Sequence, residues 1–299
     1  MSLSLSNVTK KFGEHTAVNQ LNLEIPNQEL FGFLGGNGAG KTTTFRMILG
    51  LIDQTEGNIT WNGERINYDQ SHLIGYLPEE RGLYPKLRVK EQLLYLGKLR
   101  GMTKQEALVQ LNKWLERFRV ESYLNKRVEE LSKGNQQKIQ FISSVIHQPK
   151  LLILDEPFSG LDPINVEMMK DAVLDLTEEG TTIVFSSHQM DDVEQMCENV
   201  CILREGNAVV KGNLKDIKKT FGRKNLHINA DFNLDFIEEM DGVLNYKKYN
   251  NGCKLQIANE QISQTILAQI QQKGFIRKFE LEEPSLHDIF IEKVGEQYE

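Results

Sequence analysis

The sequence predicts an α/β protein built on a parallel sheet, with an antiparallel β flank, a helical insert and a second, smaller α+β domain. Short continuous apolar runs alternate with glycine-marked turns and helical stretches up to about residue 212, as in a sheet buried on both faces. One of these runs leads through a glycine-rich segment into a helix-forming stretch. A new strand and helix pattern restarts at residue 213.

Taken in order, Ser4 to Val8 and Leu21 to Ile25 alternate apolar with polar, which predicts a flank with one solvated face. The continuous runs are Leu30 to Leu34, Ile74 to Leu77, Leu151 to Leu154, Thr182 to Phe185 and Asn199 to Leu203. Between the second and third runs, Val89, Leu93, Leu94 and Leu96 share one stripe, and Ala107, Leu108, Leu111, Leu115 and Phe118 another. A helical subdomain over about 87–146 follows from those stripes and the helix expected after Ser132. In 213–299 the reading is a strand at Leu226 to Ile228, a helix at Leu234 to Met240, and a hairpin of Val243 to Tyr249 with Cys253 to Ile257. Asn250-Asn251-Gly252 is its turn, followed by a helix at Gln261 to Gln272, a strand at Phe275 to Leu281 and a helix at Ser285 to Val294. The order βαββαβ is ferredoxin-like. The domain reading is therefore 1–212 and 213–299.

Composition narrows the function classes. The 299 residues carry a net charge of −7, split as −5 over 1–212 and −2 over 213–299, so neither part is a basic nucleic-acid module. The longest stretch without Asp, Glu, Lys or Arg is the 12 residues Gln261 to Gln272, short of the roughly 20 apolar residues that span a bilayer. Three cysteines, Cys197, Cys201 and Cys253, are too few for a disulfide framework, and none has a neighbouring metal-ligand set. The expectation is a reduced, soluble, cytosolic chain.

Gly35-Gly36-Asn37-Gly38-Ala39-Gly40-Lys41-Thr42 fits G-x-x-x-x-G-K-[ST] between a strand and a helix expected from Thr43 to Leu51. Such glycines let successive backbone N–H groups converge on one anion, and the helix N-terminus adds positive potential. Lys41 is then placed for β- and γ-phosphates and the Thr42 hydroxyl for Mg²⁺. Asn37, Gly38, Ala39, Gly40 and Thr43 complete the nucleotide-binding candidates. Leu151 to Leu154 ends in Asp155-Glu156, and a buried parallel strand delivers its C-terminal end to the ligand crevice. Asp155 is the candidate Mg²⁺ carboxylate and Glu156 the candidate general base for an attacking water. His188, after the run Thr182 to Phe185, is a candidate sensor of the γ-phosphate.

These pieces resemble the ATP-binding subunit of ABC transporters. Leu131-Ser132-Lys133-Gly134-Asn135 resembles the family signature L-S-G-G-Q, departing at Lys133 and Asn135, and opens a helix expected from Gln136 to about Ile146. The resemblance implies that Ser132 and Gly134 contact the γ-phosphate of ATP held by a second subunit. It also makes Phe12 the aromatic residue that stacks on adenine with Val18 nearby, and Ser187-His188 the switch histidine. Ser159-Gly160-Leu161-Asp162 becomes the loop that reaches across a dimer. Glu79 stands where the family has Gln, and its carboxylate is a candidate third Mg²⁺ ligand, directly or through water. The segment 76–85 and the tail 283–290 resemble exporters with separate membrane subunits, of sodium-extrusion and drug-export type.

What the resemblance implies is an ATPase that powers export, with ATP and Mg²⁺ sandwiched between two subunits as a homodimer or heterodimer. Its partner is an integral-membrane permease, and its place is the inner face of the cell membrane. The competing reading is a soluble ABC-type ATPase acting on DNA or ribosomes. Lys41 and Asp155 lie 114 positions apart, which leaves no room for a very long coiled coil, and the chain carries a single cassette.

Overall fold

The computed structural model describes residues 2–80 and 82–295. Met1, Arg81 within the segment 76–85 and the last four positions of 213–299 lie outside the described residues. The chain forms two compact units, Met1–Lys211 and Gly212–Glu299.

The first unit begins with strands β1 (Ser2–Phe12), β2 (His15–Pro26) and β3 (Leu30–Gly35), then helix α1 (Lys41–Ile48), β4 (Glu56–Trp61) and β5 (Ile74–Leu77). Helices α2 (Val89–Leu99), α3 (Lys104–Arg117) and α4 (Lys133–Val145) follow. The unit continues with β6 (Leu151–Asp155), α5 (Pro163–Glu178), β7 (Thr182–Ser187), α6 (Met190–Met196), β8 (Asn199–Arg204) and β9 (Asn207–Asn213). A three-stranded sheet of order β2-β1-β4, antiparallel throughout, is the predicted flank. A six-stranded sheet of order β5-β6-β7-β3-β8-β9 carries the five predicted apolar runs, whose strands pair in parallel. Leu151, Leu152, Ile153 and Leu154 are all fully buried, because each face of this sheet is covered. Leu3, Leu21, Phe33, Phe45, Ile48, Ile153 and Val184 join the flank, α1 and the large sheet in one core.

Three helix boundaries differ from the sequence reading. The helix after the glycine loop begins at Lys41 and ends at Ile48, since Gly50 at φ 66° closes it before Leu51. The helix expected from Gln136 begins at Lys133, where the Ser132 hydroxyl caps it by accepting from Asn135 N. Trp114, Phe118 and Phe141 pack ring on ring and fix α3 against α4. Among the described residues no helix is long and apolar enough to cross a membrane.

The second unit contains α7 (Leu214–Phe221), β10 (Lys224–Ala230), β11 (Val243–Tyr249), β12 (Gly252–Ile257), α8 (Glu260–Ile270), β13 (Ile276–Glu282) and α9 (Leu286–Val294). Its antiparallel sheet has the order β11-β12-β10-β13, the ferredoxin-like arrangement. The helix expected at Leu234 to Met240 is instead a single 3₁₀ turn, Asp235–Ile237. Asn233, one residue before its N-cap, accepts from Asp235 N, Leu234 and Ile237 are already buried, and Gly242 at φ 87° turns the chain into β11. The hairpin loop is the two residues Asn250-Asn251, because Tyr249 pairs with Gly252. Gly252 is needed for close approach rather than for the turn: a Cβ there would lie 2.1 Å from Ile228 O of β10.

Candidate functional site

Strand order sets the site. β7 lies between β3 and β6, and the register pairs Leu34 with Ser187 and Asp155 with Ser186. The C-terminal ends of three strands therefore reach the same edge, where the glycine loop, the acid pair and His188 follow.

The loop is shaped by glycine. Gly40 sits at φ 106°, and a Cβ there would lie 2.5 Å from Ala17 O and 3.3 Å from Val18 Cγ2. Val18, fully buried, thus floors the loop. Gly38, at φ 75°, faces open space on its other side. That concave backbone before a helix N-terminus fits a phosphate chain. Asn37 and Gly38 are exposed, Ala39 and Gly40 are buried, and Thr43 lies in the first turn of α1. Lys41 is 7% exposed, and its Nζ donates to Gly35 O at 2.6 Å and Gly36 O at 3.3 Å. Its ammonium is held across the mouth of the loop.

The acid pair is locked from two sides. Thr42 Oγ1 donates to Asp155 Oδ2 at 2.8 Å, and Ser186 Oγ donates to Asp155 Oδ1 at 2.6 Å. Ser186 Oγ also accepts from Glu156 N at 3.0 Å. The sequence pattern does not single out Ser186; its signal is a serine at the end of the apolar run beside the acid strand. Glu156 adopts φ 51°, a left-handed conformation uncommon for a non-glycine residue, which turns its side chain out of the strand's alternation. His188 Nδ1 lies 2.7 Å from Glu156 Oε2, and His188 N donates to the same oxygen at 3.4 Å. Glu156 is 8% exposed and the His188 side chain 61%, so the imidazole reaches outward from a buried carboxylate. Beside the acids, burial and then the Asp155 charge push the Tyr76 phenol up, while Arg46 opposes them.

The structure brings Lys41, Thr42, Asp155, Glu156 and His188 together. Phe12 ends β1 half exposed, with Lys10 Nζ 4.9 Å from its ring centre, which leaves an aromatic face available for stacking. Ser132 and Gly134 lie elsewhere, at the N-terminus of α4 beside the 159–162 loop: a Cβ on Gly134 would meet Leu161 Cδ2 at 3.5 Å. Asn135, which replaces the usual Gln, donates to Ser132 Oγ at 3.0 Å and to Tyr123 OH at 3.1 Å. Glu79 is exposed after β5, and Gln140 of α4 holds its loop by donating to Pro78 O and Glu80 O. None of the hydrogen bonds found for Ser132, Gly134 or Glu79 joins them to the Lys41–Asp155 cluster. Cys197 and Cys201 are buried thiols, and burial pushes Cys201 up to about 12.

Among the described residues no group of three His, Cys, Asp or Glu side chains forms an all-protein metal site. A hydroxyl and a carboxylate at hydrogen-bond distance beside a phosphate cradle instead fit a hard cation shared with phosphate oxygens.

Fold and site together define a P-loop ATPase of the cassette type. Residues 18–159 match the ABC transporter family, and 212–294 match the C-terminal domain of DrrA1-3-like ATP-binding proteins. The uncharacterized ABC transporter ATP-binding protein YhaQ of Bacillus subtilis (strain 168) is 63% identical over 297 residues, 99% of this chain and all of YhaQ. The bacitracin transport ATP-binding protein BcrA of Bacillus licheniformis is 32% identical, over 98% of this chain and 97% of BcrA. The dimeric structure of MJ0796, a bacterial ABC transporter cassette, matches 71% of this chain and 98% of its own, with a TM-score of 0.65 and 25% identity. The chain belongs to the ATP-binding subunits of ABC transporters and is an ATPase.

Proposed function

We propose that this chain powers export through a separate integral-membrane permease, hydrolysing ATP held between two cassette subunits. The single observation that carries the catalytic reading is the joined cluster of Thr42, Asp155, Glu156 and His188 beside the glycine loop. In this reading the loop and Lys41 hold the phosphates, and Phe12 stacks on adenine above Val18. Thr42 and Asp155 hold Mg²⁺, which neutralises charge on the β- and γ-phosphates. Glu156 accepts a proton from the attacking water, and His188, hydrogen-bonded to its Oε2, orients that carboxylate and senses the γ-phosphate. Ser132 and Gly134, displaced from this cluster, serve the ATP of the opposite subunit. The dimeric MJ0796 cassette supports two subunits, identical or related. The bacitracin transport protein BcrA supports a transport role, and the DrrA-like C-terminal match is consistent with it. Docking on a permease places the chain at the inner face of the cell membrane. Residues 213–299 form an accessory domain that regulates or supports the dimer.

The test is affinity purification of the chain from its native membrane. Recovery of a multi-span membrane protein supports the reading, and repeated recovery of ribosomes or DNA instead overturns it. Glu79 is tested by Glu79→Gln: an unchanged Mg²⁺ dependence of hydrolysis removes it from the metal site.

A further inference from the structure

Helix α6 starts two residues after His188 and has only seven residues, too few to hold itself in place. Its buried residues are Asp192 and Val193. Val193 packs on β3, where a Cβ on Gly32 would fall 2.4 Å from its Cγ1. Asp192 makes a 2.8 Å ion pair with Lys170 of α5, with the two side chains 8% and 9% exposed. Lys170 Nζ also donates to Glu167 Oε1 at 3.1 Å and Gln195 Oε1 at 3.2 Å, which occupies all three of its N–H bonds. Burial works against the charged lysine, but the hydrogen bonds to Asp192 and Glu167 prevail and raise its pKa. Asp192 Oδ2 is buried without a hydrogen-bond partner, so the carboxylate is only partly compensated. A buried ion pair is a poor source of stability compared with apolar packing, so its use here points to orientation. Both helices follow strands that end at the site, β6 and β7. The N-cap of α5 is Asp162, the last residue of the Ser159–Asp162 loop, and that of α6 is Gln189, next to His188.

We infer that the Lys170–Asp192 ion pair is a positioning device that fixes His188 against Glu156 by locking α6 to the helix that begins at the 159–162 loop. This rests on the His188 role proposed above. The pair touches neither substrate nor reacting atoms. Its loss slackens the His188–Glu156 contact and leaves the phosphate loop untouched, so turnover falls while nucleotide binding persists.

The test uses the full chain with Lys170→Met and Asp192→Leu combined, an apolar exchange that keeps the interior filled. The expected result is a kcat lowered about tenfold or more with KM for ATP within about twofold of the parent. Added to His188→Ala, the exchange should lower kcat no further, because both changes disable one unit. If the apolar pair does not fold, Asp192→Asn is measured in the same two backgrounds with the same non-additivity expected. Parental kcat in the folded pair variant, or full additivity with His188→Ala, overturns the proposal alone. Parental turnover of His188→Ala itself overturns the His188 reading and the proposal with it.

Discussion

Thr42 Oγ1 donates a 2.8 Å hydrogen bond to Asp155 Oδ2, joining residues 113 positions apart. The first residues of α1 and the last residue of β6 are thereby fixed to each other beside the glycine loop. Thr42→Val keeps the shape of the side chain and removes the hydroxyl. We expect hydrolysis to fall by about 100-fold, near 3 kcal/mol of transition-state stabilisation, and to need more Mg²⁺ for half-maximal rate. The check is kcat measured against Mg²⁺ concentration. A parental curve would remove Thr42 from the metal site.

Ser186 is fully buried and serves both acids, donating to Asp155 and accepting from Glu156 N. Ser186→Ala leaves a buried carboxylate oxygen and a backbone N–H without this partner. A loss of about 2–3 kcal/mol in the first unit is expected. Urea unfolding followed by tryptophan fluorescence reads that unit, since Trp61 and Trp114 both lie in it.

Lys41 holds its ammonium on Gly35 O and Gly36 O at the loop mouth. Lys41→Ala should weaken ATP binding by about 100-fold, the loss of a charge-assisted phosphate contact of roughly 3 kcal/mol. Equilibrium titration with a fluorescent ATP analogue measures this. Parental affinity would show that the loop does not bind phosphate through Lys41.

His147 links pH to stability far from the phosphate loop. Burial, partly offset by the hydrogen bond to Ile74 O, lowers its pKa from 6.5 to about 4. The unfolded chain therefore takes up a proton at a higher pH than the folded one. Stability contributed by the neutral imidazole is full above pH 6.5 and declines as pH falls toward 4, by at most about 3 kcal/mol. His147→Gln retains an N–H donor for Ile74 O and cannot titrate. Its stability should decline less than the parent's between pH 6.5 and 4 in urea unfolding at each pH. Parallel profiles would contradict the depressed pKa.

Local patterns make much of this fold and site legible in the amino-acid sequence. The strand Leu30–Gly35, the glycine loop and the helix at Lys41 are contiguous, so spacing alone places Lys41 and Thr42. Leu151 to Asp155 reads as a buried strand because both faces are apolar, which puts the acids at its end. Contacts set by tertiary packing are not legible in this way. Ser186 reaches Asp155 only because β7 pairs beside β6, and the Lys170–Asp192 pair forms only because α5 and α6 pack together. Nor does helical apolar spacing reveal that Leu234 and Ile237 are buried by one 3₁₀ turn, since a helix and a turn both place those residues inward. Glycine misleads once. Gly252 resembles a turn residue and is required by the approach of Ile228 O.

The most direct test of the account is Glu156→Gln. The amide keeps the size of the side chain and its reach toward His188 but cannot serve as a general base. ATP turnover should fall by at least about 100-fold, ATP affinity should stay within about twofold of the parent, and sizing chromatography with ATP and Mg²⁺ should recover a stable dimer. Turnover at the parental rate would contradict the assignment of Glu156 and, with it, the reading of the whole cluster.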